Sequence, residues 1–223
     1  MMSHQLHLDL TLPDRFAAKD FVVSEANDDL HSLLMTPQAW LNPHLVLTGP
    51  EGSGKTHAGH LFAETHDAVW LEPGQSLPPS GTFMVIDDAD AVDQESLFHL
   101  FNLTSAGNGR LLLLSRLHPA QWRITVPDFE SRLKAMRVVD MPEPDDALLK
   151  QVLKKLFATR LITPSDDVLE YLSRRMERSF AHAQKIVTGI EDYANGRAFT
   201  RVLAREFIDK YENLSWLSDE DGI

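Results

Sequence analysis

The spacing of apolar residues divides the chain into two parts. In the first part, short apolar runs that end in polar residues alternate with longer amphipathic stretches, a pattern typical of buried parallel strands joined by helices. The alternation predicts an α/β fold in which a five-stranded parallel sheet is covered by helices on both faces. The predicted strands are residues 44–48, 68–72, 82–86, 110–115 and 137–141, with helices over 28–34, 55–65 and 94–105.

From about residue 143 the apolar residues recur three and four positions apart, which is the period of a helix buried on one face. Four such stretches predict a small all-helical lid domain over residues 143–212, after a core over residues 14–142. Residues 1–13 are expected to be a flexible peptide and residues 213–223 a loose acidic tail. The apolar positions are Leu148, Leu149, Val152, Leu153, Leu156, Phe157, Val168, Leu169, Leu172, Phe180, Ala183, Val187, Ile190, Leu203, Phe207, Ile208 and Tyr211.

Residues 49–56 read GPEGSGKT and follow the first predicted strand. They match G-x-x-x-x-G-K-[ST], the phosphate-binding loop, in which glycines let successive backbone N–H groups face a phosphate. Lys55 would reach the β- and γ-phosphates and Thr56 would offer its hydroxyl to Mg²⁺. A chance match is disfavoured, because the motif lies between a strand and a helix, where the mechanism requires it. The predicted nucleotide-binding residues here are Gly49, Pro50, Glu51, Gly52, Ser53, Gly54, Lys55, Thr56 and His57.

The third predicted strand runs directly into Asp87 and Asp88. Carboxylates at the carboxyl end of a buried parallel strand lie where open α/β sheets bind ligands. Asp87 would hold Mg²⁺ and Asp88 would polarise an attacking water. At the end of the fourth strand, the polar tip formed by Ser115 and Arg116 would sense the γ-phosphate, with Ser115 as the candidate site residue. For each of these segments the alternative is a strand that simply ends in a polar turn.

The composition of the chain excludes several classes of protein and of binding site. No run reaches the ~18 apolar residues of a membrane span, and residues 1–10 lack the features of a signal peptide. There is no cysteine, which excludes disulfides and thiolate metal sites. The formal net charge of −12 disfavours strong direct binding to DNA. We therefore expect a cytoplasmic protein with no membrane partner.

The first residues contain the pattern Q-L-x-L-x-L, formed by Gln5, Leu6, Leu8 and Leu10. An extended backbone would place the leucines toward one side, which suits a strand at the edge of the domain. The pattern also resembles the peptide by which bacterial proteins dock on the sliding clamp of the replicative polymerase. A terminal position favours the docking peptide over the edge strand.

Several features together resemble the AAA+ domain of the bacterial replication initiator DnaA. They are the GKTH start of the phosphate-loop helix, the Asp-Asp strand end, the triplet 131–133 (SRL) before the fifth strand, the helical lid and the lead-in 20–27 (DFVVSEAN). The resemblance covers about residues 14–211. With a clamp peptide in front, the chain is similar to the Hda regulators, which inactivate DnaA. The resemblance implies ADP or ATP with Mg²⁺ as cofactors, and DnaA and the polymerase III sliding clamp as partners, with a homodimer left open.

The resemblance also implies roles for two arginines and for the lead-in. Arg132 matches the arginine finger that this family places on a neighbouring subunit's nucleotide, and Arg178 matches the lid's sensor arginine. Phe21 and Val22 fall among the nucleotide-binding residues. The alternative is that each arginine is a surface residue, with Arg132 paired to an acidic neighbour such as Glu130.

The sequence differs from the DnaA pattern in two places, and each difference changes an expected activity. Residues 73–81 form a bare loop where DnaA has an initiator-specific helical insertion, so single-strand DNA handling in the DnaA manner is not expected. Around Ser115 and Arg116 DnaA typically has an aspartate, so hydrolysis by the chain's own site is expected to be weak. Two alternative functions stay open: a self-contained P-loop ATPase or kinase, and an adaptor or loader of replication proteins.

Overall fold

A computed structural model describes residues 17–72 and 75–218, with side chains described as far as Tyr211. Within these residues the chain forms five strands and eight helices, together with 3₁₀ turns at Ala18–Asp20, Pro37–Ala39, Ala89–Ala91 and Pro119–Gln121. The strands are β1 His44–Thr48, β2 Val69–Trp70, β3 Phe83–Ile86, β4 Arg110–Ser115 and β5 Arg137–Asp140. The helices are α1 Asp28–Met35, α2 Lys55–His66, α3 Gln94–Ala106, α4 Pro127–Lys134, α5 Asp146–Ala158, α6 Asp166–Arg175, α7 Phe180–Ala194 and α8 Arg201–Ser218.

All five strands are parallel and lie in the order β2-β3-β4-β1-β5. The predicted five-stranded parallel sheet is confirmed, and its three central strands keep nearly their predicted bounds. β2 is shorter than predicted, because it is an edge strand with a partner on one side only and Val69 is exposed. Strand β1, one of the three inner strands, leads into the phosphate loop, and β4 and then β3 lie on one side of it.

Alternate side chains of each central strand pack on opposite faces of the sheet. On one face, Val46 and Leu113 pack with Phe101 of α3 and Phe129 of α4. On the other face, Leu47 and its neighbours pack with helices α1 and α2. That second cluster comprises Leu30, Leu34, Trp40, Leu45, Leu47, Ala58, Leu61, Phe62, Val85, Leu112 and Leu114. The runs of the central strands are continuously apolar because both faces are buried.

The helices α5 to α8 form a second core of their own, which confirms the four helices predicted from their apolar stripes. Asp145 caps α5 by accepting from the backbone N–H of Leu148, and Ser179 accepts from that of His182 at the start of α7. Helix α8 continues to Ser218, past the predicted domain end at residue 212. Residues 213–218 thus belong to this helix, whose sequence contains neither proline nor glycine. Among the described helices, none combines the length and the apolar character needed to cross a membrane.

His44, the first residue of β1, is a buried polar group at the amino edge of the sheet. Its Nε2 lies 2.7 Å from Oγ1 of Thr104, and its ring stacks on Phe101 with 4.1 Å between centroids. Burial lowers the pKa of His44 to about 4, and the charges of Arg132 and Arg110 act in the same direction. His44 is therefore neutral in the folded protein.

This lowered pKa predicts a loss of stability in mild acid. Between pH 6.5 and 4 the unfolded chain takes up a proton at His44 that the folded chain does not, so the free energy of unfolding falls as the pH falls. The full difference amounts to about 3 kcal/mol. Urea unfolding at pH 7, 6 and 5 should show a shallower pH dependence for His44→Gln than for the unmodified chain. If the free energy of unfolding depends on pH equally in the two proteins, the lowered pKa of His44 is contradicted.

Candidate functional site

The phosphate loop joins β1 to α2 at the carboxyl edge of the sheet. Gly52 and Gly54 have φ angles of 72° and 96°, in the left-handed region that glycine adopts without strain. A Cβ atom on Gly52 would lie 2.3 Å from Cβ of Ala181, and one on Gly54 would lie 3.1 Å from the ring of Phe180. The glycines therefore permit both the curl of the loop and the close approach of helix α7 of the lid.

Lys55 is the first residue of α2, and only 7% of its surface is exposed. Its Nζ donates to the carbonyl oxygens of Gly49 at 2.7 Å and Pro50 at 2.8 Å, which holds the ammonium inside the loop. Burial lowers the pKa of Lys55, and the carboxylate of Asp87 opposes that shift. The loop thus encloses a positive charge, as an anion site requires.

The structure brings Thr56 and Asp87 together from the start of α2 and the end of β3. Oγ1 of Thr56 donates to Oδ2 of Asp87 at 2.9 Å. The described residues contain no group of three or more His, Asp or Glu side chains arranged around one metal position. A hydroxyl and one carboxylate, with the remaining ligands from phosphate and water, is the donor set that Mg²⁺ commonly uses with nucleotides. The two predicted magnesium ligands therefore fit that ion.

Asp88 adopts a left-handed conformation with φ of 46°, so the chain turns sharply after β3. Its carboxylate lies 3.4 Å from Nε of Arg116, and Nη1 of the same arginine lies 3.5 Å from Glu51 of the phosphate loop. The predicted water-polarising carboxylate is thus paired with an arginine. In the sequence, Arg116 was indicated only by its place beside Ser115 in the polar tip of a strand.

Ser115 lies at the end of β4 and is completely buried. Its Oγ donates to Oδ1 of Asp90 at 2.8 Å, also lies 2.7 Å from the carbonyl oxygen of Leu117 and accepts from the N–H of Leu117. These contacts turn the hydroxyl away from the role of γ-phosphate sensor that we predicted for it. The side chain that β4 presents beside the phosphate loop is that of Arg116.

The lead-in before α1 lies against the start of α2. The ring of Phe21 contacts that of His57 edge-on at 5.3 Å, and Nε2 of His57 lies 3.2 Å from the carbonyl oxygen of Ala17. Nδ2 of the buried Asn27 donates to the carbonyl oxygen of Val22 at 2.9 Å. The structure therefore brings Phe21 and His57 together beside the phosphate loop, with Val22 next to Phe21 in the chain. Sequence reasoning missed Asn27, for which the only signal was its place at the end of the lead-in.

Arg178 precedes helix α7, whose first residues contact the phosphate loop. Its Nη2 donates to Oδ1 of Asp146 on α5 at 3.0 Å, and both side chains are largely exposed. The structure thus places Arg178 two residues before Phe180, the residue that meets Gly54. Its guanidinium is engaged by the lid rather than by the loop.

Arg132 lies in the last turn of α4, at the opposite edge of the sheet from the phosphate loop. It shares a cleft with His44, the first residue of β1, while the loop follows the last residue of that strand. Five residues of strand separate the two edges by about 13 Å or more. The alternative pairing with Glu130 is wrong, because Glu130 pairs with Lys134 at 2.6 Å.

The guanidinium of Arg132 is held from helix α3. Nη1 donates to Oδ1 of Asn102 at 2.9 Å, and the guanidinium carbon lies 5.3 Å from the centroid of the Phe98 ring. The side chain of Arg132 is therefore exposed, and its guanidinium is held in one orientation.

The predicted clamp-binding residues Gln5, Leu6, Leu8 and Leu10 lie outside the described residues.

Solved structures share this arrangement of sheet, loop and lid. Domain III of the Thermotoga maritima replication initiation protein DnaA matches 87% of this chain and 96% of its own, with a TM-score of 0.69 and 17% identity. The chain has the fold of DnaA domain III. AMPPCP-bound DnaA from Aquifex aeolicus matches with a TM-score of 0.65 and 16% identity, over 92% of this chain and 71% of its own.

The sequence comparison agrees with this DnaA-like AAA+ fold. The DnaA of Clavibacter sepedonicus is 22% identical in an alignment of 223 positions that covers 84% of this chain and 46% of the relative. The chain thus spans about half the length of the curated relatives that it matches. No protein-family profile matches the chain.

Proposed function

We propose that this chain is a DnaA-related regulator that binds ADP or ATP with Mg²⁺, docks on the sliding clamp and promotes hydrolysis of the ATP bound to DnaA. The observation that carries the proposal is the separation of two sites on one domain. A complete set of phosphate-binding residues lies at the carboxyl edge of the sheet, and the exposed Arg132 lies at the amino edge. Arg132 lies too far from the chain's own phosphate loop to contact a nucleotide there, which supports a role at a neighbour's nucleotide.

The nucleotide of this chain has mainly a structural role in the proposal. Phosphates would bind the loop N–H groups and Lys55, while Phe21 and His57 would lie beside the base. The start of α7 packs directly on Gly54, so the site is formed jointly by core and lid. A bound nucleotide would then fix the lid relative to the core, and with it the surface that is presented to DnaA.

The active group toward DnaA is the guanidinium of Arg132. Placed against charge that develops on the γ-phosphate, such a group contributes about 10³ to 10⁵ in rate. Preorganisation matters for this kind of electrostatic stabilisation, and here Asn102 and Phe98 fix the guanidinium before any partner arrives. The arginine is exposed at its helix end, where a partner subunit can reach it.

Asn102 should therefore matter for stimulation of DnaA although it is not expected to touch the nucleotide. Asn102→Ala removes the hydrogen bond that orients Arg132 and should lower the stimulated rate about tenfold, the value of one hydrogen bond to a charged group. Asn102→Asp keeps an acceptor and should retain most of the stimulation. The measurement is the rate of ATP conversion on DnaA, with the thermal melt of each variant as control. Full stimulation by a folded Asn102→Ala protein would show that the contact has no role.

Clamp binding should reside in the leucines of the N-terminal peptide. Enclosure of a leucine in an apolar pocket contributes about 1.5 to 3 kcal/mol, so Leu8→Ala with Leu10→Ala should abolish the complex. Asp9→Ala changes a residue between them and should leave binding intact. Surface plasmon resonance on immobilised clamp measures the affinity. Clamp binding by a chain that lacks residues 1–12 would contradict the proposal.

The partners follow from the same reasoning. DnaA and the sliding clamp are the proposed partners, and the net charge of −12 disfavours strong direct contact with DNA.

The proposal as a whole is tested by ATP hydrolysis on DnaA, with and without this protein, in the presence of DNA-loaded clamp. Stimulation together with slow turnover by the isolated protein supports the regulator. Rapid turnover by the isolated protein without any effect on DnaA supports a self-contained ATPase.

A further inference from the structure

The 3₁₀ turn Ala18–Asp20 of the lead-in lies between the core and the lid. Helix α2 of the core holds it on one side, where the N–H of Ala18 donates to Oε2 of Glu64 at 2.9 Å. Nε2 of His57, also on α2, lies 3.2 Å from the carbonyl oxygen of Ala17. On the other side, a side chain of helix α5 of the lid reaches the turn. Side-chain contacts through this turn therefore connect the core with the lid.

The contact from the lid is made by Lys155. Its Nζ lies 2.8 Å from Oδ1 of Asp20 and donates to the carbonyl oxygen of Lys19 at 3.4 Å. The side chains of Lys155 and Asp20 are only 37% and 34% exposed, so water screens this pair less than it screens a fully exposed one. The hydrogen bond from Lys155 lowers the pKa of the Asp20 carboxyl. We call this ion pair of Lys155 and Asp20 the clasp.

Phe21 follows the turn directly and lies at the side of the site proposed for the base. Its ring contacts that of His57 on α2 edge-on at 5.3 Å and stacks with that of His31 on α1 at 6.2 Å. Burial lowers the pKa of His57, and the charge of Lys155 acts in the same direction. The ammonium of the clasp is therefore within electrostatic reach of the side chains proposed to lie beside the base.

The lid contacts the core differently at the two ends of this site. At the phosphate loop, the start of α7 packs on Gly52 and Gly54 through close apolar contacts. At the lead-in, α5 is joined to the turn by the clasp. An ion pair between partly exposed side chains contributes less than a packed helix end and is broken more easily. The clasp is therefore the contact that opens first when the lid moves from the core.

We propose that the clasp is a gate that sets the rate at which nucleotide enters and leaves the site. While Lys155 holds Asp20, the lid stays against the lead-in and covers the base side. When the pair breaks, that side opens. Both residues act by positioning, since neither contacts the nucleotide in this arrangement. The inference rests on the nucleotide site of the proposed function, where slow exchange suits a nucleotide with a structural role.

A gate has a kinetic signature that a binding residue lacks. Because the pair does not involve the nucleotide, its loss should speed entry and exit by similar factors. Lys155→Gln and Asp20→Asn should each raise the association and dissociation rate constants of ADP about three- to tenfold, the effect expected when a partly buried ion pair is lost. The dissociation constant should change less than about twofold. Stopped-flow fluorescence with N-methylanthraniloyl-ADP and Mg²⁺, chased with unlabelled ADP, measures both rates.

A matched control lies on the same helix. Lys150 of α5 is 33% exposed and pairs with Asp166 of α6, so Lys150→Gln removes an ion pair inside the lid and should leave both rates unchanged. Exchange of the two charges supplies a rescue. Asp20→Lys alone places two cations together and should accelerate exchange more than Asp20→Asn does. Asp20→Lys combined with Lys155→Asp restores the attraction and should return both rates toward those of the unmodified chain.

The outcomes separate this inference from the proposed function. If the unmodified chain does not bind the labelled ADP, the nucleotide site itself is wrong and the gate falls with it. If the chain binds and the folded variants of Lys155 and Asp20 exchange nucleotide at the unmodified rates, the nucleotide site stands and the gate is wrong. Weaker affinity through faster dissociation alone would show that these side chains bind the nucleotide directly, which also overturns the gate. The thermal melt shows that each variant is folded.

Discussion

Lys55→Ala should reduce ADP affinity by about a hundredfold or more. The ammonium is the only full positive charge supplied by residues 49–56, and charge-assisted contacts to phosphate are among the strongest hydrogen bonds in proteins. Its removal also deletes the bonds to the carbonyl oxygens of Gly49 and Pro50, which shape the loop. The loss should therefore exceed the value of one contact.

Isothermal titration calorimetry with ADP and Mg²⁺ measures this effect. Lys154→Ala, at an exposed position of α5, serves as the matched control and should bind as the unmodified chain does. Lys55 belongs to none of the hydrophobic clusters of the core, so the variant should remain folded, and its thermal melt checks this. ADP binding by Lys55→Ala equal to that of the control would show that the nucleotide pocket lies elsewhere.

Arg132→Ala should remove the stimulation of DnaA while nucleotide and clamp binding persist. In the proposed arrangement the guanidinium completes the site of a DnaA subunit, so its loss leaves transition-state charge uncompensated, at about 10³ to 10⁵ in rate. Arg132→Lys should rescue poorly, because an ammonium lacks the planar fork that Asn102 now orients. Single-turnover conversion of ATP on DnaA measures the effect.

A matched control lies on the same helix. Lys134 is exposed and pairs with Glu130, so Lys134→Ala removes a neighbouring cation without touching the Arg132 contacts. This pair contributes no more than about 1 kcal/mol to stability, as exposed ion pairs do. Loss of stimulation by Lys134→Ala to the same extent as by Arg132→Ala would point to general surface charge instead of a specific finger.

The parts of the site that could be predicted are those formed by one short segment of the chain. Residues 49–56 form their loop through their own glycines, so the motif alone located Lys55 and Thr56 correctly next to a strand and a helix. The partner of Thr56 was also predictable, because parallel strands end at one edge and Asp87 ends a buried run.

The contacts that could not be predicted join segments that are distant in sequence. Asn102 and Arg132 are 30 residues apart and meet only because α3 and α4 pack on the same face of the sheet. The orientation of Ser115 and Arg116 is a second feature that could not be predicted from the sequence. Which of two adjacent polar residues faces the phosphate loop depends on the turn after β3, where Asp90 accepts from Ser115, and no local pattern encodes that turn.

The most direct test of the account is the rate at which DnaA converts its ATP in the presence of DNA-loaded clamp. Three samples are compared at matched concentrations: no addition, the unmodified chain, and Arg132→Ala with its folding checked by thermal melt. The account predicts rapid conversion with the unmodified chain, and the unstimulated rate with Arg132→Ala. Equal rates from the two folded proteins would contradict the claim that this chain acts on DnaA through Arg132.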